Sequence, residues 1–307
     1  MSLRINNNIE SMNAHRNLLM NDRALSKSLE RLASGQKINR AADDPAALVI
    51  SEHMRAQVSG MEQAIRNNEV AISLVQTAEG SMNEISSILV SLRQRAISAA
   101  NVGASDQDMI DANQAEIENA LASIDRVVST TQFGHYKLLD GTNAAKTETN
   151  EDGSISTREG LRFHVGPNAE HMASTSIRDM STSALGRITV KEGEIPNKSN
   201  FMSLADIDVR NEQGAQDALA IIDQALTEVA TVRGELGAFQ KHTLESNLTS
   251  LQVAAENMTA AESTIRDTDM AQELATFTRN QIMTQSATAQ LAQANAMPQH
   301  VLRLLNG

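Results

Sequence analysis

Apolar side chains recur at helical spacing along both ends of this chain, and polar residues fill the positions between them. At the start, Leu3, Ile5, Ile9, Met12, Leu18, Leu25, Leu29 and Leu32 fall mostly three or four residues apart until Gly35 interrupts the run. At the other end the same spacing carries Met270, Leu274, Phe277, Ile282, Leu291, Val301, Leu304 and Leu305. Such stripes predict amphipathic helices. An apolar stripe on a lone helix is costly to expose, so each end is expected to pair with the other or with a neighbouring molecule.

Residues 34–47 form the first break. Gly35 suits a helix C-terminus, and Asp43 or Asp44 before Pro45 reads as an N-cap with proline in the first helical turn. The helix beginning there is expected to reach about Ala100, a rod of roughly 80 Å at 1.5 Å per residue. Along it Val58, Met61, Ile65, Asn68, Ile72 and Val75 alternate steps of three and four. After one shortened step, Ala78, Met82, Ile85, Leu89, Leu92 and Ala96 resume them. This predicts a heptad-like seam with one phase slip.

A second helix is expected from about Asp106, a plausible cap, to Thr130, with Ile110, Ile117, Leu121, Ile124 and Val127 or Val128 turned inward. Turn residues then crowd the chain at Asp140-Gly141, Asp152-Gly153, Gly160 and Gly166-Pro167, with strand-like runs at 161–165 and 187–190, which predicts small hairpins. Past about Asp206, helical spacing returns from Leu219 to Ile265. The expected fold class is therefore mainly α: a long folded-back helical rod, coiled-coil-like, with a small β-hairpin-rich tip and terminal helices from both chain ends. The expected domains are 1–42 with 268–307 as a terminal helical unit, and 43–267 as a rod that includes a tip at 131–205.

Composition sharpens this picture. Only 2% of the 307 residues are aromatic, with one Tyr and no Trp, which suits helix-on-helix seams better than a thick core or an aromatic-lined pocket. The net charge of −12 argues against a nucleic-acid partner. It sits in the middle, because residues 1–42 hold seven Lys/Arg against three acidic residues and residues 268–307 are balanced. No cysteine is present, so disulfides and thiolate metal sites are excluded. No apolar run approaches the ~20 residues of a membrane helix. The N-terminus lacks the continuous apolar region of a Sec signal.

Catalytic and metal chemistry find little support. His164 and His171 stand seven apart beside Glu170, a weak pattern for a metal site, and no HExxH occurs. No nucleophile-elbow pattern accompanies the Ser, His and Asp residues. Asn197-Lys198-Ser199 is formally a glycosylation sequon and reads best as an ordinary polar turn. No catalytic, metal or cofactor residue is assigned, and the expectation is that the chain is not an enzyme.

The stretches INNNIESMNAHRNL, LASGQKINRAADDPAALVISE and SLVQTAEGSMNEISSIL, the turn TQFGHYKLLDG, and the ending AENMTAAESTIRDTDMAQELATFTRNQIMTQSATAQLAQANAMPQHVLRLL resemble bacterial flagellin closely. The likeness covers residues 1–141 and 210–305, and only a short middle segment separates the two blocks, so the large outer domains of many flagellins look absent. The resemblance implies a structural subunit of the extracellular flagellar filament, a helical homopolymer for swimming motility. It implies export by the flagellar type III system, with an export chaperone, the export gate, the filament cap and hook–filament junction proteins as partners. Polymerisation contacts are expected at Leu3, Ile5, Ile9, Met12, Leu18, Leu25, Leu29, Leu32, Leu274, Phe277, Ile282, Leu291, Val301, Leu304 and Leu305.

In some flagellins the positions of Arg93 and Glu116 face a vertebrate innate immune receptor. Here both keep the family type, but Ser91 and Arg95 replace an arginine and a leucine. Losing a planar, bidentate donor implies weak or absent receptor activation. The alternatives are a hook–filament junction protein, which the ending LAQANAMPQHVLRLL fits poorly, and a non-flagellar coiled-coil stalk.

Overall fold

A computed structural model describes residues 8–101, 106–149, 155–158, 160–187, 199 and 201–305. The chain divides into two compact units, Met1–Ser59 with Ala255–Gly307, and Gly60–Ala254. Its helices are α1 (Ile9–Ser34), α2 (Pro45–Ala100), α3 (Gln107–Thr130), α4 (Glu212–Phe239), α5 (Ser246–Arg266) and α6 (Met270–Leu305). A π-helical turn, Gln240–Glu245, joins α4 to α5 without a break in the coil.

The punctuation read from sequence is present. Gly35 takes φ +71° and its N–H donates to the Arg31 carbonyl at 2.9 Å, closing α1 with the left-handed residue that glycine accommodates best. Asp44 caps α2: its Oδ1 accepts from the Ala47 N–H at 3.0 Å, and Pro45 opens the helix. Asp106 takes the N-cap position of α3, as read, but its side chain makes no cap bond. The fourth helix starts at Glu212 and not near Asp206, because a short 3-10 turn at Leu204–Asp206 comes first, with its own Ser203/Asp206 capping box.

In the Gly60–Ala254 unit, the core collects one face each of α2, α3 and α4 with the tip residues Leu138, Leu139, Ile177, Met180, Leu185 and Leu204. Arg93 pairs with Asp223 at 2.6 Å and Arg233 with Glu79 at 3.8 Å, which sets α4 antiparallel to α2. The buried positions of α2 correct the expected phase slip. Met61, Ala64, Asn68, Ala71, Val75, Ala78, Met82, Ile85, Leu89, Leu92, Ala96 and Ala99 alternate steps of three and four without interruption. Ala64 and Ala71 take the inward places that the sequence suggested for Ile65 and Ile72, which are only half-buried. Small residues at these rungs let the helix backbones approach, so bulk alone misidentified the seam.

The irregularity lies on the opposite strand of the bundle. Ala215, Ala218, Ile222, Ala225, Val229, Val232 and Leu236 keep the same alternation, but the next buried residue is Leu244, one position later than the heptad places it. The π turn spans that gap. It takes up one extra residue, and the helix then resumes in phase with Asn247 and Leu251 facing inward.

Among the described residues the tip contains three two-stranded antiparallel sheets: β1 (Gln132–Phe133) with β2 (Tyr136–Lys137), β3 (Lys146–Thr149) with β4 (Ile155–Arg158), and β5 (Leu161–His164) with β6 (Met172–Thr175). Of the two strand-like runs expected here, 161–165 becomes β5; for 187–190, residues 188–190 lie outside the described residues. Helix side chains hold the tip down. The Val165 carbonyl accepts from Asn68 at 3.3 Å and Asn247 at 2.5 Å, while Asn67 donates to the His164 carbonyl at 3.1 Å. Asp125 accepts from both the N–H and hydroxyl of Thr182, and Glu228 from the Gly186 N–H.

Candidate assembly surface

In the other unit, α1 and α6 pack against each other as an antiparallel pair. Asn8 donates to the Ala294 carbonyl at 2.8 Å, Asn21 to the Met283 carbonyl at 3.4 Å, and Asn280 to the Ser28 hydroxyl at 3.3 Å. Arg31 meets Glu273 at 3.6 Å, and Ser11 donates to Asn295 at 2.6 Å.

These contacts define a heptad seam. On α1 it runs Ser11, Ala14, Leu18, Asn21, Leu25, Ser28 and Leu32; on α6 it runs Glu273, Phe277, Asn280, Thr284, Ala287, Leu291 and Ala294. Every one of these residues is buried or half-buried. Serine, asparagine, threonine and alanine interrupt the apolar rungs, so the pair buries far less hydrocarbon per turn than a leucine zipper of equal length.

The expected contact residues therefore divide into two groups. Leu18, Leu25, Leu32, Phe277 and Leu291 belong to the seam and are half-buried. Ile9, Met12, Leu29, Leu274 and Ile282 are exposed, Ile282 by 57%, and are joined by Leu19 and Met20 on α1 and by Met283 and Met297 on α6. Leu3 and Ile5 lie outside the described residues. Val301, Leu304 and Leu305 fall in the final turns of α6, where the backbone alone is described. The polar seam was missed from sequence because only apolar positions were counted. Its signal is that Ser11, Asn21 and Ser28 sit at the three/four spacing between the leucines.

The segment after α1 is tied to the turn before α6. The Lys37 N–H donates to the Arg266 carbonyl at 2.7 Å, and the Thr268 N–H to the Gly35 carbonyl at 2.9 Å, around a Gln36–Asp267 bridge. Asp43 organises the loop. It pairs with Lys27 at 2.7 Å and accepts from the N–H groups of Arg40 and Asn39.

The Lys27 ammonium, followed by those backbone donors, lowers the Asp43 pKa from 3.8 to about 2. A depressed carboxyl pKa contributes stability that is present in full above the ordinary value and is lost as pH falls toward the folded one. Asp43→Asn is thus expected to lower the melting temperature at pH 7 by an amount equivalent to about 1 kcal/mol, Lys27 being half-exposed. The gap from the parent chain, followed by circular dichroism, should close between pH 4 and pH 2.

Among the described residues no group of three or more His, Cys, Asp or Glu side chains is placed to hold a metal ion. His164 and His171 lie at opposite ends of the β5–β6 hairpin connection, His164 half-buried and His171 exposed. No described helix is long and apolar enough to cross a membrane. Arg93 is held by Asp223, and Glu116 by Arg95 at 2.5 Å, so both expected receptor-facing residues are ion-paired within the chain.

α1 and α6 thus form an antiparallel pair whose outer faces keep exposed apolar residues. Residues 5–144 match the bacterial flagellin N-terminal helical region, and residues 219–305 the C-terminal helical region. A flagellin of Bacillus subtilis is 40% identical across 99% of this chain and 100% of its own length. A 30.7 kDa flagellar filament core protein of Treponema maltophilum is 38% identical across 98% of this chain and 99% of its own. A solved chain from Vibrio parahaemolyticus described as flagellar hook-associated covers 73% of this chain and 100% of its own with a TM-score of 0.55. Its identity is 15%, so it shows a shared fold alone. The chain belongs to the bacterial flagellin family. It is a filament subunit, and these relatives do not favour the hook–filament junction alternative.

Proposed function

We propose that the chain polymerises through the outer faces of α1 and α6, and that this pair, weakly held in the free subunit, is consolidated on assembly. The observation that carries the reading is the division of apolar residues between a polar-interrupted seam and an open face. The seam alone holds the pair weakly. Copies stacked against Ile9, Leu19, Leu274 and Ile282 would supply the missing burial. A heterologous contact of this kind repeats without closing and gives a filament.

In this reading residues 1–42 and 268–307 form the filament core, and 43–267 the rod with its tip at 131–205. The role is structural and non-enzymatic. The subunit leaves through the flagellar type III system, aided by an export chaperone and the export gate, and meets the filament cap and hook–filament junction proteins at the two ends of the polymer. The intrachain pairing of Arg93 and Glu116 supports weak immune-receptor engagement, since a receptor would have to displace Asp223 and Arg95.

Electron microscopy after seeding tests the proposal. Full-length protein should extend seeds into long uniform filaments, and a version lacking residues 1–42 and 268–307 should not. Small closed particles from the full chain would overturn it.

A further inference from the structure

Half of the large apolar side chains left exposed on α1 and α6 are thioethers. Among the described residues these are Met12, Met20, Met270, Met283 and Met297, against Ile9, Leu19, Leu29, Leu274 and Ile282. Of the 14 methionines in the chain, these five are exposed on α1 and α6. Their exposure runs from 45% at Met270 to 67% at Met12, whereas Met61, Met82 and Met180 in the other unit's core are 3% exposed or less. An oxidant therefore reaches the first set and spares the core.

We infer that these five methionines form a reversible oxidation site that sets the assembly competence of the free subunit. The inference rests on the assembly surface proposed above. Hydrogen peroxide is the oxidant class. An S–O bond forms as the peroxide O–O bond breaks, two electrons pass from sulfur to peroxide, and water leaves. Reversal by a methionine sulfoxide reductase expels the oxygen as water while two thiols become a disulfide.

Physically, the sulfoxide replaces a flexible apolar group with a strong hydrogen-bond acceptor. Left in water it costs nothing, so the monomer keeps its fold. Moved into an apolar contact without a donor, it carries the penalty of an unpaired buried polar group. None of the five thioethers takes part in the polar contacts of the α1–α6 seam; Met283 accepts from Asn21 only through its backbone carbonyl, so oxidation leaves those contacts in place.

The test uses full-length monomer treated with peroxide, with mass spectrometry to confirm sulfoxide at the five positions. Seeded growth is then followed by light scattering. About tenfold slower growth is expected after oxidation, with recovery when a methionine sulfoxide reductase restores the thioethers. A variant carrying Met12→Leu, Met20→Leu, Met270→Leu, Met283→Leu and Met297→Leu should grow equally with or without peroxide treatment. Unchanged growth of oxidised parent protein would overturn the inference, as would persistent inhibition after confirmed repair. Equal loss in the leucine variant would overturn it too, because the sensitive sulfur would then lie elsewhere, the exposed Met109, Met172 and Met202 being the first to check. Failure of the assembly reading is separable: the chain lacking both ends would then still extend seeds.

Discussion

Ile282→Asp should abolish seeded filament growth while leaving the helix content of the free subunit unchanged. Ile282 lies on the outer face of α6, 57% exposed and off the seam with α1. In the monomer its replacement by aspartate exchanges one solvated group for another. In a contact between copies, a carboxylate with no partner must be buried or the contact abandoned, a penalty of several kcal/mol. Each 1.4 kcal/mol is a factor of ten in an association constant, so about 3 kcal/mol raises the concentration needed for growth roughly a hundredfold.

Leu25→Asp makes the informative contrast. Leu25 is a seam rung between Asn21 and Ser28, both hydrogen-bonded to α6. Its loss should block growth and also lower monomer helicity, measured by circular dichroism. Normal filaments from Ile282→Asp would show that the outer face is not the contact surface.

Deletion of His242 should be tolerated, whereas deletion of Ser87 should unfold the bundle. Both residues are exposed and both deletions remove one residue from a helix. His242 lies in the π turn, where Leu236 and Leu244 are eight positions apart. Removing it restores a seven-residue step, turns the π segment into ordinary α-helix, and leaves Asn247 and Leu251 on their inward face. Ser87 lies in the unbroken seam of α2. Its loss rotates Leu89, Leu92, Ala96 and Ala99 by about 100° out of the core. Losing even one buried leucine typically costs about 3 kcal/mol. Thermal melts should place the His242 deletion within a few degrees of the parent and show no cooperative transition for the Ser87 deletion. Equal damage from the two would mean that the π turn has a role other than register.

Punctuation was the most legible part of this sequence. Gly35 and Asp44-Pro45 each act through local backbone chemistry, and each sits at the place read for it. The core was less legible, for a physical reason. Reading by bulk selected Ile65 and Ile72 over Ala64 and Ala71, although close helix packing selects the smaller side chain. That choice created a phase slip in α2 that does not exist. The real one-residue excess, between Leu236 and Leu244, was visible as an eight-residue step. Asn21 and Ser28 escaped because a polar residue at an inward heptad position shows its role only once a facing helix supplies the partner. The asparagines that grip the tip, Asn67, Asn68 and Asn247, depend on contacts about 80 to 100 positions apart, beyond the reach of local pattern.

The alanines of the seam have a mechanical consequence. Ala64, Ala71, Ala78, Ala96 and Ala99 on α2, with Ala215, Ala218 and Ala225 on α4, have no side-chain rotamers to exchange. A core of long, flexible side chains can yield to a twisting load by repacking, dissipating the strain rung by rung. These rungs cannot, so torque applied at one end of the bundle passes along the backbones themselves. For a shaft that is turned from its base and must push against water along its whole length, stiffness of that origin is part of the propeller's working material.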